Sequence, residues 1–208
     1  NCGGKVNLGT NRLFGGLKRH LPLLIALLGS AIILAPQSVH AFSGTGAGTL
    51  GDPYEIRSCS ELLQISNNLA VYYELVDDVD CSGTTYTAIG TSGSPFTGSL
   101  DGNLQTISHV TISSGNSQGI FGYTTGATIK NIKLSNNAFS GTNTIASLVG
   151  SPTDGVISNV RADNTNSVIS TSGSAGGLVG IAYGTLQLST SYSNGTAESV
   201  GAGYIGGL

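Results

Sequence analysis

Charged residues are scarce in this sequence and make up only 9% of its 208 residues. Beyond position 41, four lysines and arginines stand against eleven acidic residues. Binding to nucleic acid requires many cations that neutralise phosphates, so this balance argues against a nucleic-acid partner. The same deficit argues against adhesion to anionic lipid. Regularly spaced Ile, Val and Leu nevertheless supply the core that a disordered chain lacks.

The first 41 residues contain no Asp or Glu. The basic segment Lys18–His20 leads into an apolar stretch over 21–35, and the small-residue pattern Val39–Ala41 follows. The apolar stretch is shorter than the roughly 20 residues that a membrane-spanning helix needs, so this order predicts a secretory signal peptide over 1–41. We therefore expect a secreted or cell-surface protein that contacts the membrane only through this segment before cleavage.

Cysteine is also rare, with three residues in the chain. Cys2 falls in the predicted signal peptide, which leaves Cys59 and Cys81. An even pair in an exported chain predicts a disulfide that would stabilise the fold by about 3 kcal/mol, with two buried thiols as the alternative. No histidine lies near the pair, so a zinc site is disfavoured.

Glycine is abundant, with 32 residues, and much of it falls in a Gly-apolar-apolar-Gly unit. The unit occupies 119–122 and 177–180, is truncated at 206–208, and has Ser147 in place of the first glycine at 147–150. A period of about thirty residues filled with Ser, Thr, Asn and Gly predicts stacked coils of strands and turns. The predicted fold is therefore an all-β parallel solenoid.

A six-residue phrase with apolar residues at its first, fourth and sixth positions begins at positions 107, 129 and 157. A flat strand would place apolar residues at alternate positions, so the phrase predicts a bend at its third residue. Asparagine suits such a bend because it tolerates left-handed backbone angles. We expect the three bend residues to stack as a hydrogen-bonded ladder. They are His109, Asn131 and Asn159.

Upstream of the coils, the sequence predicts two further segments. Residues 42–53 are glycine-rich and are predicted to be flexible. Residues 54–95 are predicted to form a β-helix-β cap, because an unpaired terminal coil would expose its apolar core and strand edges. The coils then occupy 96–208, and the spacing of apolar residues departs from the phrase after Leu186.

Several segments occur in a fixed order, namely 48–56, 61–63, 75–80, 88–90 and 96–102, and Gly176–Gly180 reads Gly-Gly-Leu-Val-Gly. In this order the chain resembles secreted bacterial proteins that carry GLUG repeats. The resemblance implies a right-handed parallel β-helix in exported, adhesin-like proteins of the filamentous-haemagglutinin kind, sometimes joined to a protease. It implies no catalytic residue in the repeats.

The sequence predicts no catalytic residue, no metal site and no cofactor. The acidic run Asp77, Asp78 and Asp80 could supply oxygens to calcium, but strand alternation points Asp77 away from the other two. Solvated acids at a strand end are therefore the favoured interpretation. Serines are numerous, yet no histidine-supported nucleophile accompanies them.

The predicted function is an adhesin-like stalk or binding scaffold, secreted or displayed at the cell surface. Outward Thr, Ser, Asn and Tyr would present a polar face to glycans or surface proteins. The candidate ligand contacts are Tyr123, Tyr183, Tyr192 and Tyr204. Two alternatives stay open: a carbohydrate-active enzyme of the polysaccharide-lyase type, and a passive spacer for a catalytic domain such as a protease.

Overall fold

A computed structural model describes residue 3, residues 42–201 and residues 203–207. Apart from residue 3, the predicted signal peptide lies outside these described residues. Within them the chain is an all-β solenoid of about 5 turns whose strands pair in parallel, which confirms the predicted fold class. No helix in this described part is long and apolar enough to span a bilayer.

A strand, two short helices and a second strand form the amino-terminal end of the solenoid. In chain order these elements are β1 (Tyr54–Ile56), α1 (Cys59–Leu63), a 3₁₀ helix (Gln64–Asn67) and β2 (Tyr72–Leu75). The N–H of Glu61 donates to Ser58 Oγ (3.3 Å) and so caps the start of α1. Leu62 and Ile65 are fully buried. The helical segment therefore covers the apolar core at this end.

The remaining strands wrap around the core in chain order. The next four are β3 (Val79–Asp80), β4 (Ser99–Asp101), β5 (Thr106–Ser108) and β6 (Thr111–Ile112). They are followed by β7 (Ser117–Gln118), β8 (Phe121–Thr125), β9 (Thr128–Ser135), β10 (Ala138–Gly141) and β11 (Thr144–Ala146). The last are β12 (Val149–Ala162), β13 (Ser167–Ser170), β14 (Ala175–Gly176), β15 (Tyr183–Ser189), β16 (Tyr192–Ser193), β17 (Thr196–Ser199) and β18 (Ile205–Gly206).

These strands form three sheets. The largest has ten strands, and its central path runs β1-β2-β4-β9-β12-β15. Two four-stranded sheets, with orders β17-β13-β10-β6 and β18-β14-β11-β7, form the other sides. Each four-stranded sheet takes its strands from successive coils, so residues far apart in sequence become neighbours along the solenoid.

Apolar residues at equal positions of successive coils stack in columns inside the solenoid. Leu100 pairs with Ile129, which pairs with Ile157, and all three are buried. Aromatic rings form another column, in which the ring centroids of Phe96 and Phe121 are 4.8 Å apart. Each apolar side chain is thus covered by the one on the next rung.

Residues 42–53, predicted to be flexible because of their glycines, contact the cap. The rings of Phe42 and Tyr54 are stacked with centroids 4.6 Å apart. The N–H of Tyr72 donates to the Gly48 carbonyl (3.1 Å). These contacts extend the apolar and hydrogen-bonded edge of the cap by one further segment.

The disulfide predicted from the cysteine count joins Cys59 to Cys81. Its two Cα atoms are 5.0 Å apart, and both residues are buried. Cys59 begins α1 and Cys81 follows β3, so the bond ties the helical segment to the solenoid.

The three bend residues have positive φ angles of 57° at His109, 57° at Asn131 and 53° at Asn159. Asn159 Nδ2 donates to Asn131 Oδ1 (2.8 Å), and Asn131 Nδ2 donates to Asp101 Oδ1 (2.9 Å). His109 lies in a different column, where its Nδ1 is 2.9 Å from Asp80 Oδ1.

This placement differs from the single ladder predicted from the sequence. Ile107 pairs with Leu134 and not with Ile129, because residues 102–105 connect β4 to β5 where residues 131 and 132 suffice in the next coil. The phrases that begin at 107 and 129 therefore mark successive corners of the solenoid, and the longer connection hides this shift from a spacing argument.

A second pair of asparagines lies in the interior, at positions that the six-residue phrase does not mark. Asn137 and Asn166 are each 1% exposed. The N–H of Val110 donates to Asn137 Oδ1 (2.8 Å), and Asn137 Nδ2 donates to Asn166 Oδ1 (2.9 Å) and to the Ile107 carbonyl (3.1 Å). The Asn137 amide thus supplies a partner to the N–H of Val110, which lies outside the strands at the corner.

The Asn137→Ala substitution would leave the buried Val110 N–H without the side-chain oxygen that accepts its hydrogen bond. We expect the free energy of unfolding to fall by about 1–3 kcal/mol, the cost of one unmet buried polar group. Chemical denaturation measures the change. The matched control is Asn116→Ala, which removes one exposed hydrogen bond, from the Thr142 hydroxyl (2.7 Å), and should cost less than about 1 kcal/mol. Equal losses in the two variants would contradict a structural role for the internal amides.

Candidate functional site

Three of the four candidate tyrosines converge on one cavity of about 410 Å³. Tyr123 lies on β8, Tyr183 begins β15, and Tyr204 directly precedes β18. Tyr123 is half-buried, whereas Tyr183 is 53% and Tyr204 83% exposed. The stacking of coils thus gathers aromatic rings from distant parts of the sequence around one opening, which we call the tyrosine cavity.

Small polar groups line the rest of the tyrosine cavity. They include the hydroxyls of Ser117, Thr144, Ser151, Ser172 and Ser174 and the amide of Asn143. None of the described residues that line it is charged. The cavity therefore offers neutral hydrogen-bonding groups beside aromatic rings, a combination suited to an uncharged polar ligand.

Three of these hydroxyls form a closed ring. Thr144 Oγ1 is 2.5 Å from Ser117 Oγ and 2.8 Å from Ser151 Oγ, and the two serine oxygens are 3.0 Å apart. A hydroxyl has one proton to donate and two lone pairs to accept with. In a ring where each hydroxyl donates to the next, each keeps one free lone pair. This part of the lining therefore favours ligand groups that donate hydrogen bonds.

The turn after Tyr183 is held by Asp154. Asp154 Oδ1 accepts hydrogen bonds from the Thr185 N–H (2.6 Å) and the Thr185 hydroxyl (2.9 Å). The bond from the Thr185 N–H, followed by that from its hydroxyl, lowers the pKa of Asp154 below its usual range. The carboxylate is therefore charged near neutral pH and fixes the start of β15, where Tyr183 lies.

Tyr192, the fourth candidate, lies away from the tyrosine cavity. The guanidinium carbon of Arg161 is 5.8 Å from the centroid of its ring, and 45% of the residue is exposed. Its neighbours are charged, so its surroundings differ in chemistry from those of the other three tyrosines.

Two carboxylates of the acidic run near the cap accept hydrogen bonds from backbone N–H groups. Asp78 Oδ1 accepts a hydrogen bond from the Thr106 N–H (2.6 Å), and Asp80 Oδ1 accepts one from the Ser82 N–H (2.9 Å). The Ser82 bond, with a contribution from His109, lowers the pKa of Asp80. Within the described residues, no three His, Cys, Asp or Glu side chains gather in a way that could hold a metal ion.

Ser147 stands where the other coils have glycine, in the connection between β11 and β12. At Gly119 an added Cβ would lie 2.8 Å from the Leu148 carbonyl oxygen, and at Gly177 it would lie 2.5 Å from the Gly207 carbonyl oxygen. Ser147 is 1% exposed, and its hydroxyl has no hydrogen-bond partner among the described residues. The middle coil therefore carries an unmet polar group at this position.

Comparisons with known proteins support the solenoid. No family model matches the chain, so membership of the GLUG-repeat family stays a prediction. Over 152 residues the chain is 36% identical to halomucin of Haloquadratum walsbyi, a match that covers 65% of this chain and 2% of halomucin. The crystal structure of a candidate immunoglobulin A1 protease from Bacteroides ovatus aligns with a TM-score of 0.69 and 26% identity, over 78% of this chain and 54% of that one. The chain therefore spans a small part of one relative and about half of the other.

The Ser147→Ala substitution removes the hydroxyl without a partner and should leave stability unchanged or raise it by up to about 1 kcal/mol. The control is Ser151→Ala, which removes a hydroxyl from the closed ring and should lower stability by about 1 kcal/mol. Thermal and chemical unfolding of the two variants compare them directly. A loss for Ser147→Ala as large as that for Ser151→Ala would show that the Ser147 hydroxyl is bonded.

Proposed function

We propose that this chain is an adhesin-like binding scaffold of an extracellular β-helical protein, and that its tyrosine cavity holds a neutral stretch of a glycan. The observation that carries this proposal is the convergence of Tyr123, Tyr183 and Tyr204 on a cavity whose described lining residues are all uncharged. Sugars present apolar C–H faces that pack on aromatic rings and hydroxyls that exchange hydrogen bonds with serine and threonine.

An extracellular location is supported by the Cys59–Cys81 disulfide. Such bonds persist in oxidising compartments and are rare in the cytosol. The signal peptide predicted over residues 1–41 and the resemblance to exported GLUG-repeat proteins point to the same location.

The solenoid suits a binding role because it holds the cavity in place before the ligand arrives. The strands that carry Tyr123 and Tyr183 both pair with β12, in register at Ser151 and Thr153. The backbone that carries these two side chains is therefore already ordered when a ligand binds, which lowers the entropic cost of association.

A second candidate is a non-catalytic part of a larger protease. The similarity to the candidate immunoglobulin A1 protease from Bacteroides ovatus favours it, since the chain aligns with 54% of that protein. The chain would then present or hold a substrate for a catalytic domain elsewhere.

Incubation of the purified chain with immunoglobulin A1 separates a scaffold from an enzyme. We expect the heavy chain to stay intact, because no serine in the sequence is accompanied by a histidine in a nucleophile motif. Gel electrophoresis over a time course, with trypsin as a positive control, gives the answer. Specific cleavage that persists in a repurified sample would contradict a purely non-catalytic role.

The Tyr183→Ala variant tests the tyrosine cavity. An array of neutral glycans identifies a ligand for the wild-type chain, and calorimetry then gives its Kd. We expect the variant to bind about tenfold more weakly, since loss of a buried aromatic contact costs on the order of 1–2 kcal/mol. The control is Tyr72→Ala, a 38% exposed tyrosine on β2 outside the cavity. Absence of neutral-glycan binding, or equal losses in both variants, would contradict the proposal.

A further inference from the structure

A second outward-facing surface carries cations on adjacent coils. Lys133 on β9 lies directly opposite Arg161 on β12, and Arg161 lies opposite Tyr192 on β16. Asp163 follows Arg161 by two residues, and Asn194 follows Tyr192 by two residues. Both lie on the same side of the solenoid as the cations. These five residues line a groove of about 330 Å³, which we call the basic groove.

The pairing of Lys133 with Arg161 works against stability. Strands are about 4.8 Å apart, and like charges directly opposite each other on neighbouring strands repel. The chain could have placed a carboxylate opposite either cation, since acids outnumber cations beyond position 41. An anion bound from outside the protein between these two cations would reduce their repulsion.

The other two cations of the described segment are paired. Arg57 forms an ion pair with Glu55, and Lys130 Nζ lies 3.0 Å from Asp101 Oδ2. Among the described residues, Lys133 and Arg161 take part in no ion pair within 4.0 Å. Their charges are therefore available to a ligand.

Asp163 brings a negative charge to the basic groove, but it is bound to its own turn. Its Oδ1 accepts hydrogen bonds from the Thr165 N–H (3.0 Å), the Thr165 hydroxyl and Asn166 Nδ2 (2.9 Å). With Lys133 and Arg161 positive, the basic groove keeps a net positive charge.

Tyr192 gives the basic groove an aromatic side. The guanidinium of Arg161 lies over its ring at 5.8 Å, a cation–π contact that orients the planar group. One Arg161 N–H donates to Asn159 Oδ1 (3.5 Å), and the other donors of the guanidinium remain for an oxyanion. Asn194, which is exposed, adds amide donors and acceptors. An oxyanion beside Lys133 and Arg161 would thus have a polar and aromatic surface next to it.

We propose that the basic groove binds the carboxylate or sulfate group of an acidic polysaccharide. The oxyanion lies between the Lys133 ammonium and the Arg161 guanidinium, and the sugar that carries it packs against the exposed part of Tyr192. This site is separate from the tyrosine cavity and does not depend on the function proposed for it.

Dextran sulfate and unmodified dextran are the probes, because they share a glucan backbone and differ in their oxyanions. We expect the chain to bind dextran sulfate with an affinity that falls as salt is raised, since exposed charges are screened. Arg161→Gln and Lys133→Gln should each raise the Kd for dextran sulfate about tenfold, as expected for loss of a charged hydrogen bond. Unmodified dextran should not compete.

Two further variants sharpen the test. Lys130→Gln removes the same charge from the same strand, but from an ion pair, and should change the Kd by less than about twofold. Asp163→Asn keeps an acceptor for its turn and removes the opposing charge, so binding should tighten by about twofold or more. A purely structural role for these residues would not produce tighter binding.

Three outcomes would overturn the assignment. They are an unchanged Kd in both Arg161→Gln and Lys133→Gln, an equal loss in Lys130→Gln, and equally tight binding of poly-L-glutamate, which would indicate an acidic protein ligand. Circular dichroism of each variant confirms that it is folded. The Tyr183→Ala variant should bind dextran sulfate like the wild type, so failure of the tyrosine cavity and failure of the basic groove are distinguishable.

Discussion

Parallel stacking of coils, with equal positions in register, is the constraint on which the rest of the structure depends. At about 4.8 Å per rung, each side chain is covered by its counterpart on the next coil. Ile129 is covered by Ile157, and the amide of Asn137 bonds to that of Asn166. Side chains in apolar columns exclude water, and those in polar columns form hydrogen bonds with one another, so both kinds of column can be buried. Ser147 departs from this pattern because its hydroxyl lacks such a counterpart.

The sequence predicts the repeat and the parallel coils, because regular spacing of small and apolar residues is a direct consequence of stacking. It also predicts the pairing of Cys59 with Cys81, since no other cysteine follows the predicted signal peptide, and the structure contains this disulfide. The sequence does not show in the same way which residues of successive coils lie opposite each other. Residues 102–105 lengthen one corner, so Ile107 lies beside Leu134, and only the pairing of strands reveals this.

The candidate sites show the same limit. Exposed tyrosines could be proposed from composition, but their grouping requires the register: Tyr123, Tyr183 and Tyr204 share a cavity, whereas Tyr192 lies with Arg161. Asparagines at corners look alike in sequence whether they face solvent or the core, so Asn137 gave no distinguishing signal. The scarcity of charge makes the position of each cation informative once the columns are known.

The tyrosine cavity and the basic groove differ in charge. The tyrosine cavity is neutral and aromatic, while the basic groove carries Lys133 and Arg161, the two Lys and Arg residues of the described segment that form no ion pair. Nuclear Overhauser contacts between methyl groups test the strand register that positions the tyrosine cavity and the basic groove. With isoleucine and leucine methyls labelled, the account predicts contacts from Ile129 to Ile157 and from Ile107 to Leu134. A strong contact from Ile107 to Ile129, or antiparallel contacts between their strands, would contradict it.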